Sequence, residues 1–354
     1  MADSSGNLFG TTEDGGANNV PTVFELVHNT KTIKILAFLT DGGTTEGLVV
    51  DSSGNLFGAT AQGGPRNFGT VYELAHNSHT ITILASFTGI NAEYPSSLVE
   101  DSKGDLFGTT EGGGADNLGT VFEVAHDTHK IITLASFTGS VEQYANGGLV
   151  VDSSGNLFGT TQQGGAGGTG TVFELAHNSH TITTLASFES TGSNGEFSLG
   201  GLVEDRSGNL FGTTSLGGAG GTGTVFEVAH NSHTITTLAS FESTGNNGND
   251  PQWNLLEDNA VNLFGITFEG GVGGYGTVFE VAHNSNTITT LGSFTGSNGE
   301  YPSTGLVVDS SGDLFGSTYQ AGAGGGGTVF EVPQVATITA TTVGAGPRVR
   351  GNAD

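Results

Sequence analysis

Leu157-Phe158-Gly159-Thr160-Thr161, then Gly164-Gly165, then Gly170-Thr171-Val172-Phe173-Glu174 is the passage on which the fold turns. Two short apolar runs rich in aromatic and β-branched residues flank a glycine-rich connection, which reads as two antiparallel strands around a loop. Leu-Phe-Gly returns with Phe9, Phe57, Phe107, Phe158, Phe211, Phe264 and Phe315. Thr-Val-(Phe/Tyr)-Glu returns with Glu25, Glu73, Glu123, Glu174, Glu227, Glu280 and Glu331. A period of about fifty residues with no helical spacing of apolar positions is that of propeller blades.

Outward from the same passage, Gly148-Leu149-Val150-Val151 predicts a buried inner strand and Asp152-Ser153-Ser154-Gly155-Asn156 a tight turn. Beyond the third strand, His177-Asn178-Ser179-His180 predicts a second turn, and residues 181–188 a β-branched outer strand. The expected fold is all-β: a seven-bladed β-propeller with four antiparallel strands per blade. It forms one domain over 1–354, with blades starting near 1, 47, 97, 148, 201, 254 and 305. The first copy lacks the Gly-Leu-Val-Val run, and closed propellers avoid open sheet edges. Residues 347–354 match the Pro302 to Asp309 spacing and are expected either to supply that inner strand or to form a loose tail.

The segment order resembles the GloVer-type tandem repeat (the choice-of-anchor GloVer repeat family). Its leucine-aromatic-glycine-threonine-threonine, Gly-Gly and Gly-Thr-Val-Phe elements stand here as quoted above. Ala59, Ile266 and Ser317 depart from the threonine positions. The NHL-type propeller repeat is similar more distantly. The resemblance implies a bacterial, exported protein, extracellular or at the cell surface, and it carries no catalytic residues. No signal peptide precedes Ala2, and the sequence begins inside a repeat, as a trimmed or mature form does.

Eight Lys and Arg against thirty-five Asp and Glu leave a formal charge of −27, which repels phosphate backbones and anionic membranes. Nucleic acid is therefore not an expected partner, while neutral glycans or another small-molecule ligand, cationic ligands and divalent metals remain open. No apolar run is long enough for a membrane span. No cysteine offers a thiolate or a disulfide. A monomer is expected, requiring no cofactor, with a divalent cation as the one open addition.

Hairpins of an up-and-down blade alternate faces, so the Asp-turns and His-turns share one face. The glycine-rich loops and the crossings between blades share the other. The first face is nearly identical from copy to copy; the second varies, and sites grafted on a repetitive scaffold belong where loops vary. Arg66, Phe68, Asp116, Phe268, Glu269 and Tyr275 fall in its glycine loops. Glu93, Tyr94, Glu142, Tyr144, Glu196, Phe197, Trp253, Glu300 and Tyr301 fall in its crossings. Ring faces stack on sugar C–H surfaces while carboxylates accept hydroxyl protons. Arg66, Tyr94, Tyr144, Phe197, Trp253, Glu269, Tyr275 and Tyr301 are the candidate ligand-binding set. The competing reading has these aromatics filling gaps between blades.

All ten histidines occupy the second turn. The pairs His76/His79, His126/His129, His177/His180 and His230/His233 flank two-residue turns. Each offers two ligands where zinc takes four, so weak, adventitious metal binding is expected. The aspartates Asp3, Asp51, Asp101, Asp152, Asp205, Asp258 and Asp309 are followed by Ser and Gly rather than by further oxygen ligands, which favours turn formation over calcium. The third-strand glutamates read as structural. A glycan-recognition module fits best; a polysaccharide lyase or glycosidase on the same face, and a surface scaffold, are the alternatives.

Overall fold

In blade five the strands Val203–Glu204, Leu210–Thr214, Thr224–Val228 and Ile235–Ser240 lie side by side in chain order, every pairing antiparallel. The same antiparallel sheet recurs along the chain in the computed structural model, a seven-bladed propeller. Among the described residues blades two to six carry four such strands, blade one carries three, and blade seven carries three beside the crossing strand Glu300–Pro302. The structure describes residues 1–333 apart from 4, 14–19, 31, 41, 44, 46, 90–91, 140–141, 146, 190–192, 243–245, 310 and 323–324. Residues 347–354 lie outside the described residues. The place beside Leu8 is held by Met1 and Ala2: Ala2 bridges Leu8, and Met1 and Phe9 exchange N–H···O bonds of 2.8 Å. Inner strands of two residues are the rule in blades two, four, five and six, so this short segment matches them in length.

Gly212 pairs with Phe226 across the second and third strands. A Cβ on Gly212 would stand 2.7 Å from Phe226 Cζ, and the equivalent glycines 159 and 265 meet Phe173 and Phe279 in the same way. The glycine of Leu-Phe-Gly is therefore the seat of the third-strand ring. That ring in turn receives the phenylalanine that ends the previous blade. Phe188 meets Phe226 edge-on at 5.1 Å and 77°, and Phe87–Phe122, Phe137–Phe173, Phe241–Phe279 and Phe294–Phe330 repeat the contact. The core consequently lies between blades. Val203, Phe211, Val225 and Phe241 of blade five pack with Leu255, Leu263, Phe279 and Val281 of blade six.

The two threonines of the repeat have separate tasks. The second closes the glycine loop: Thr214 Oγ1 accepts the Thr224 N–H at 3.2 Å and shares a buried bond with Thr224 Oγ1 at 2.9 Å. The first stitches blades together, Thr109 Oγ1 donating to Ala145 O and Thr160 Oγ1 to Gly200 O at 2.7 and 3.0 Å. Where Ala59 replaces this threonine, Thr45 Oγ1 of the same blade stands 3.1 Å from Ala59 O and, across to the next blade's crossing, 3.0 Å from Ser96 O.

Crossings that read as loops are partly strand. Glu93–Glu100 is one continuous inner strand, Glu142–Gln143 pairs with Gln163–Gly164, and Glu300–Pro302 pairs with Leu314–Gln320. The second strand runs past its threonines into the glycine loop, and its free backbone groups take up the crossing as a partner.

Candidate functional site

The turn face is internally saturated. Asp51 Oδ1 accepts the N–H groups of Ser53 and Asn55 at 2.8 Å, and its Oδ2 accepts Asn55 Nδ2 at 2.8 Å. Asn55 Oδ1 accepts the His76 N–H at 2.9 Å, joining the two turns. This arrangement recurs at Asp152, Asp205 and Asp258, so these carboxylates serve the turn. The first histidine of each pair lies over the turn glycine: the rings of His76, His126, His177 and His230 stand where Cβ atoms on Gly54, Gly104, Gly155 and Gly208 would be. The second histidine reaches the preceding blade where a bond is made. His79 Nδ1 meets Leu36 O at 2.8 Å and His180 Nδ1 meets Leu134 O at 2.9 Å, while His129 and His233 take positive φ at their turns. No group of three or more His, Asp or Glu side chains is placed to hold a metal ion among the described residues.

Of the third-strand glutamates, Glu25 forms an ion pair with Lys34 at 3.1 Å. Glu123, Glu227 and Glu280 have their carboxyls pushed up, first by burial and then by the first-turn aspartates of their own blades. On this same face Glu204 and Glu257 end neighbouring inner strands. Burial, and after it the aspartates nearby, pushes both up to about 7.

The opposite face gathers the aromatics. At the boundary of blades six and seven, Tyr301 lies between two other rings: Phe268 at 5.1 Å, tilted by 30°, and Tyr275 at 5.5 Å, edge-on at 86°. Three elements meet there: the residue just past the second strand of blade six, Leu263–Thr267 (Phe268), its glycine loop (Tyr275) and the crossing to blade seven (Tyr301). The Tyr301 N–H donates to Tyr275 O at 3.0 Å, which locks crossing to loop. The Glu300 carboxylate and the Tyr275 ring both border Gly296, standing 3.0 and 3.7 Å from where its Cβ would be. Tyr319, 49% exposed, falls between Thr318 and Gln320, the ladder partners of Pro302 and Glu300.

Acids flank these rings on the blade-five side. Glu269 pairs with Asn249, and the Phe268 N–H donates to Asp250 O at 3.0 Å. The Asp250 carboxylate accepts Gln252 Nε2 at 2.6 Å. Its pKa is raised, first by burial and then by the Glu269 charge, against the lowering effect of the Gln252 bond.

The other candidates are spread around the ring. Tyr94 pairs with Phe68 at 6.2 Å between blades two and three; Tyr144 is 41% exposed at the next crossing; Phe197 holds the one after. Arg66 is exposed in the glycine loop of blade two. Trp253 is a wedge rather than a platform. It packs on the core of Leu256, Phe264 and Ile266, and its Nε1 is shielded from solvent with no hydrogen-bond partner among the described residues. Tyr275, Tyr301 and Glu269 thus come together, joined by Phe268. Asp250 and Gln252, absent from the candidate set, complete the corner. The one sequence signal for Asp250 was that it fills a crossing slot where other copies carry Tyr or Phe.

A repetitive all-β ring with one saturated face and one variable, aromatic and acidic face defines a propeller repeat protein. The sequence matches the Gloeobacter/Verrucomicrobia repeat over residues 1–204, 93–260 and 150–350, and the chain belongs to that family. No curated protein matches it in sequence. Among solved structures it is similar to TolB from Acinetobacter baumannii (14% identity, TM-score 0.52, covering 82% of this chain and 65% of that one). It is also similar to a puromycin-hydrolyzing peptidase from Mycobacterium tuberculosis (11%, 0.61, 95% and 51%) and to a chain of the nidogen/laminin complex (15%, 0.50, 80% and 92%). The chain therefore spans less than two thirds of the length of the first two. At these identities the likeness is one of fold.

Proposed function

We propose that the protein is a recognition propeller that binds neutral glycans through the variable face, centred on the corner between blades six and seven. The observation that carries this reading is the joined trio Phe268, Tyr275 and Tyr301 beside Glu300, Glu269 and Asp250. Rings set at an angle offer apolar surface to sugar C–H groups, and adjacent carboxylates accept hydroxyl protons. The −27 charge favours uncharged ligands over anionic ones. A glycan array followed by calorimetry on the best ligand tests it. Tyr275→Ala and Tyr301→Ala are each expected to weaken binding by about tenfold or more, as lost stacking contacts do. An array without a hit, or unchanged affinity in both variants, overturns the reading and leaves a scaffold role.

One observation favours a hydrolytic reading of the same corner: Asp250, with its raised pKa, lies close to Glu269. Two carboxyl groups set close together, one with its proton affinity raised by burial, are the kind of acid pair that glycoside hydrolysis uses. Release of reducing ends that disappears in both Asp250→Asn and Glu269→Gln supports it; intact polysaccharide after prolonged incubation removes it.

A further inference from the structure

Five crossings place a residue other than glycine in the left-handed region at the same point: Tyr94 (φ 56°), Tyr144 (58°), Phe197 (56°), Asp250 (57°) and Tyr301 (56°). The backbone there is held on two sides. The N–H groups of Tyr94, Phe197, Asp250 and Tyr301 donate to the carbonyls of Phe68, Thr169, Thr222 and Tyr275, in the glycine loop of the preceding blade, at 3.0 to 3.1 Å. The carbonyls of Tyr144, Phe197 and Asp250 accept the N–H groups of Gln162, Ser215 and Phe268 in their own blade at 3.0 to 3.1 Å. The main chain is thus the same from blade to blade, and each crossing presents one side chain from it.

A left-handed conformation costs an L-residue free energy that glycine does not pay, and asparagine pays less than other residues. This chain uses both freely. Its other positive-φ positions among the described residues are glycines, or asparagines at 29, 67, 77, 117, 178, 284 and 286, with His129, His233, Val261 and Ala321 the exceptions. Tyr or Phe takes that conformation only at the crossings. Burial does not repay the cost at two of them, since Tyr94 and Tyr144 are 37% and 41% exposed. A fold that needed only the backbone shape would be served by glycine.

We infer that Tyr94, Tyr144, Phe197 and Tyr301, at the entries to blades three, four, five and seven, are displayed as contacts for an extended neutral polysaccharide that spans several blades. This rests on the glycan reading above and extends it from a corner to an arc. A polymer of repeating units matches a surface of repeating side chains, and weak contacts of one ligand with several blades combine into useful affinity. The charge of −27 repels anionic polymers, and the stacking of rings on sugar C–H surfaces points to an uncharged polysaccharide.

The test is native affinity electrophoresis in gels containing hydroxyethylcellulose, glucomannan, laminarin or dextran. It is followed by calorimetry with di- to hexasaccharides of whichever polymer retards the protein. The Tyr94→Gly/Tyr144→Gly/Phe197→Gly variant is compared with Tyr275→Ala/Tyr301→Ala. For the triple glycine variant, a melting temperature equal to or above that of the parent is expected, with about tenfold or more weaker binding of polymer and hexasaccharide and little change for the disaccharide. Unchanged polymer binding in the triple variant, with loss in the Tyr275/Tyr301 variant, overturns the arc and keeps the corner. A drop in melting temperature beyond about 3 °C in the triple variant shows that the rings pack the fold, and also overturns it. Retardation of the parent protein by none of the four polymers removes the arc, and the glycan array then decides the corner independently.

Discussion

Single residues in this repeat are specified by what they touch in a neighbouring strand or blade. The second threonine of Leu-Phe-Gly-Thr-Thr is a case: Thr214 Oγ1 is buried, accepts the Thr224 N–H and exchanges a bond with Thr224 Oγ1. Valine at 214 keeps the shape but leaves a buried N–H and hydroxyl without that partner. Thr214→Val is expected to cost about 1–3 kcal/mol in chemical denaturation. Valine at both 214 and 224 removes the orphaned hydroxyl, so the double variant is expected to lose less than the sum of the single ones. The pairs of histidines show the same economy. One ring covers the turn glycine, and the other, at His79 and His180, reaches the preceding blade, so both have structural duties.

At the scale of elements, blades are joined by a single repeated device. The phenylalanine that ends one outer strand sits edge-on against the third-strand ring of the next blade, and the glycine opposite that ring leaves it room. Both rings of the Phe188–Phe226 pair are fully buried, so Phe188→Ala removes apolar area and opens a cavity. A loss of about 3–5 kcal/mol is expected. Because the core lies between blades, the damage should not stay in blade four. Native-state hydrogen exchange is expected to rise in both Thr171–Leu175 and Thr224–Val228, whereas protection lost in only one of them would place the core inside single blades.

For the whole molecule the governing quantity is charge. Glu204 and Glu257, at the ends of adjacent inner strands, are pushed up to about 7 from an ordinary 4.5, burial first and neighbouring acids second. The folded protein therefore keeps protons that the unfolded chain has released. That stabilisation is complete below about 4.5 and is lost as the pH rises through about 7. Both groups are half-exposed, so solvent screening holds the effect to about 1 kcal/mol per carboxyl. The melting temperature is expected to fall between pH 5 and pH 8, and the Glu204→Gln/Glu257→Gln variant to flatten that slope. An equally steep slope in the variant would shift the cause to the general repulsion of a −27 surface.

Blade number, strand order, the turns, and the contrast between a uniform and a variable face were all legible from residue spacing. Each is a local property that fifty or so consecutive residues carry and that the repeats restate. Tyr275 and Glu269 could be nominated because they interrupt the repetition, and Tyr301 because it fills an aromatic slot that the crossings share. Their meeting through Phe268, and the addition of Asp250 and Gln252, could not, since those contacts join residues of different copies. The same holds for the threonine stitch from Thr160 to Gly200, the wedge made by Trp253, and Met1 and Ala2 taking the inner place of blade one. Near-identical repeats state what each blade is. How side chains from successive blades converge depends on the rotation of one sheet against the next, and that rotation is set by packing in space.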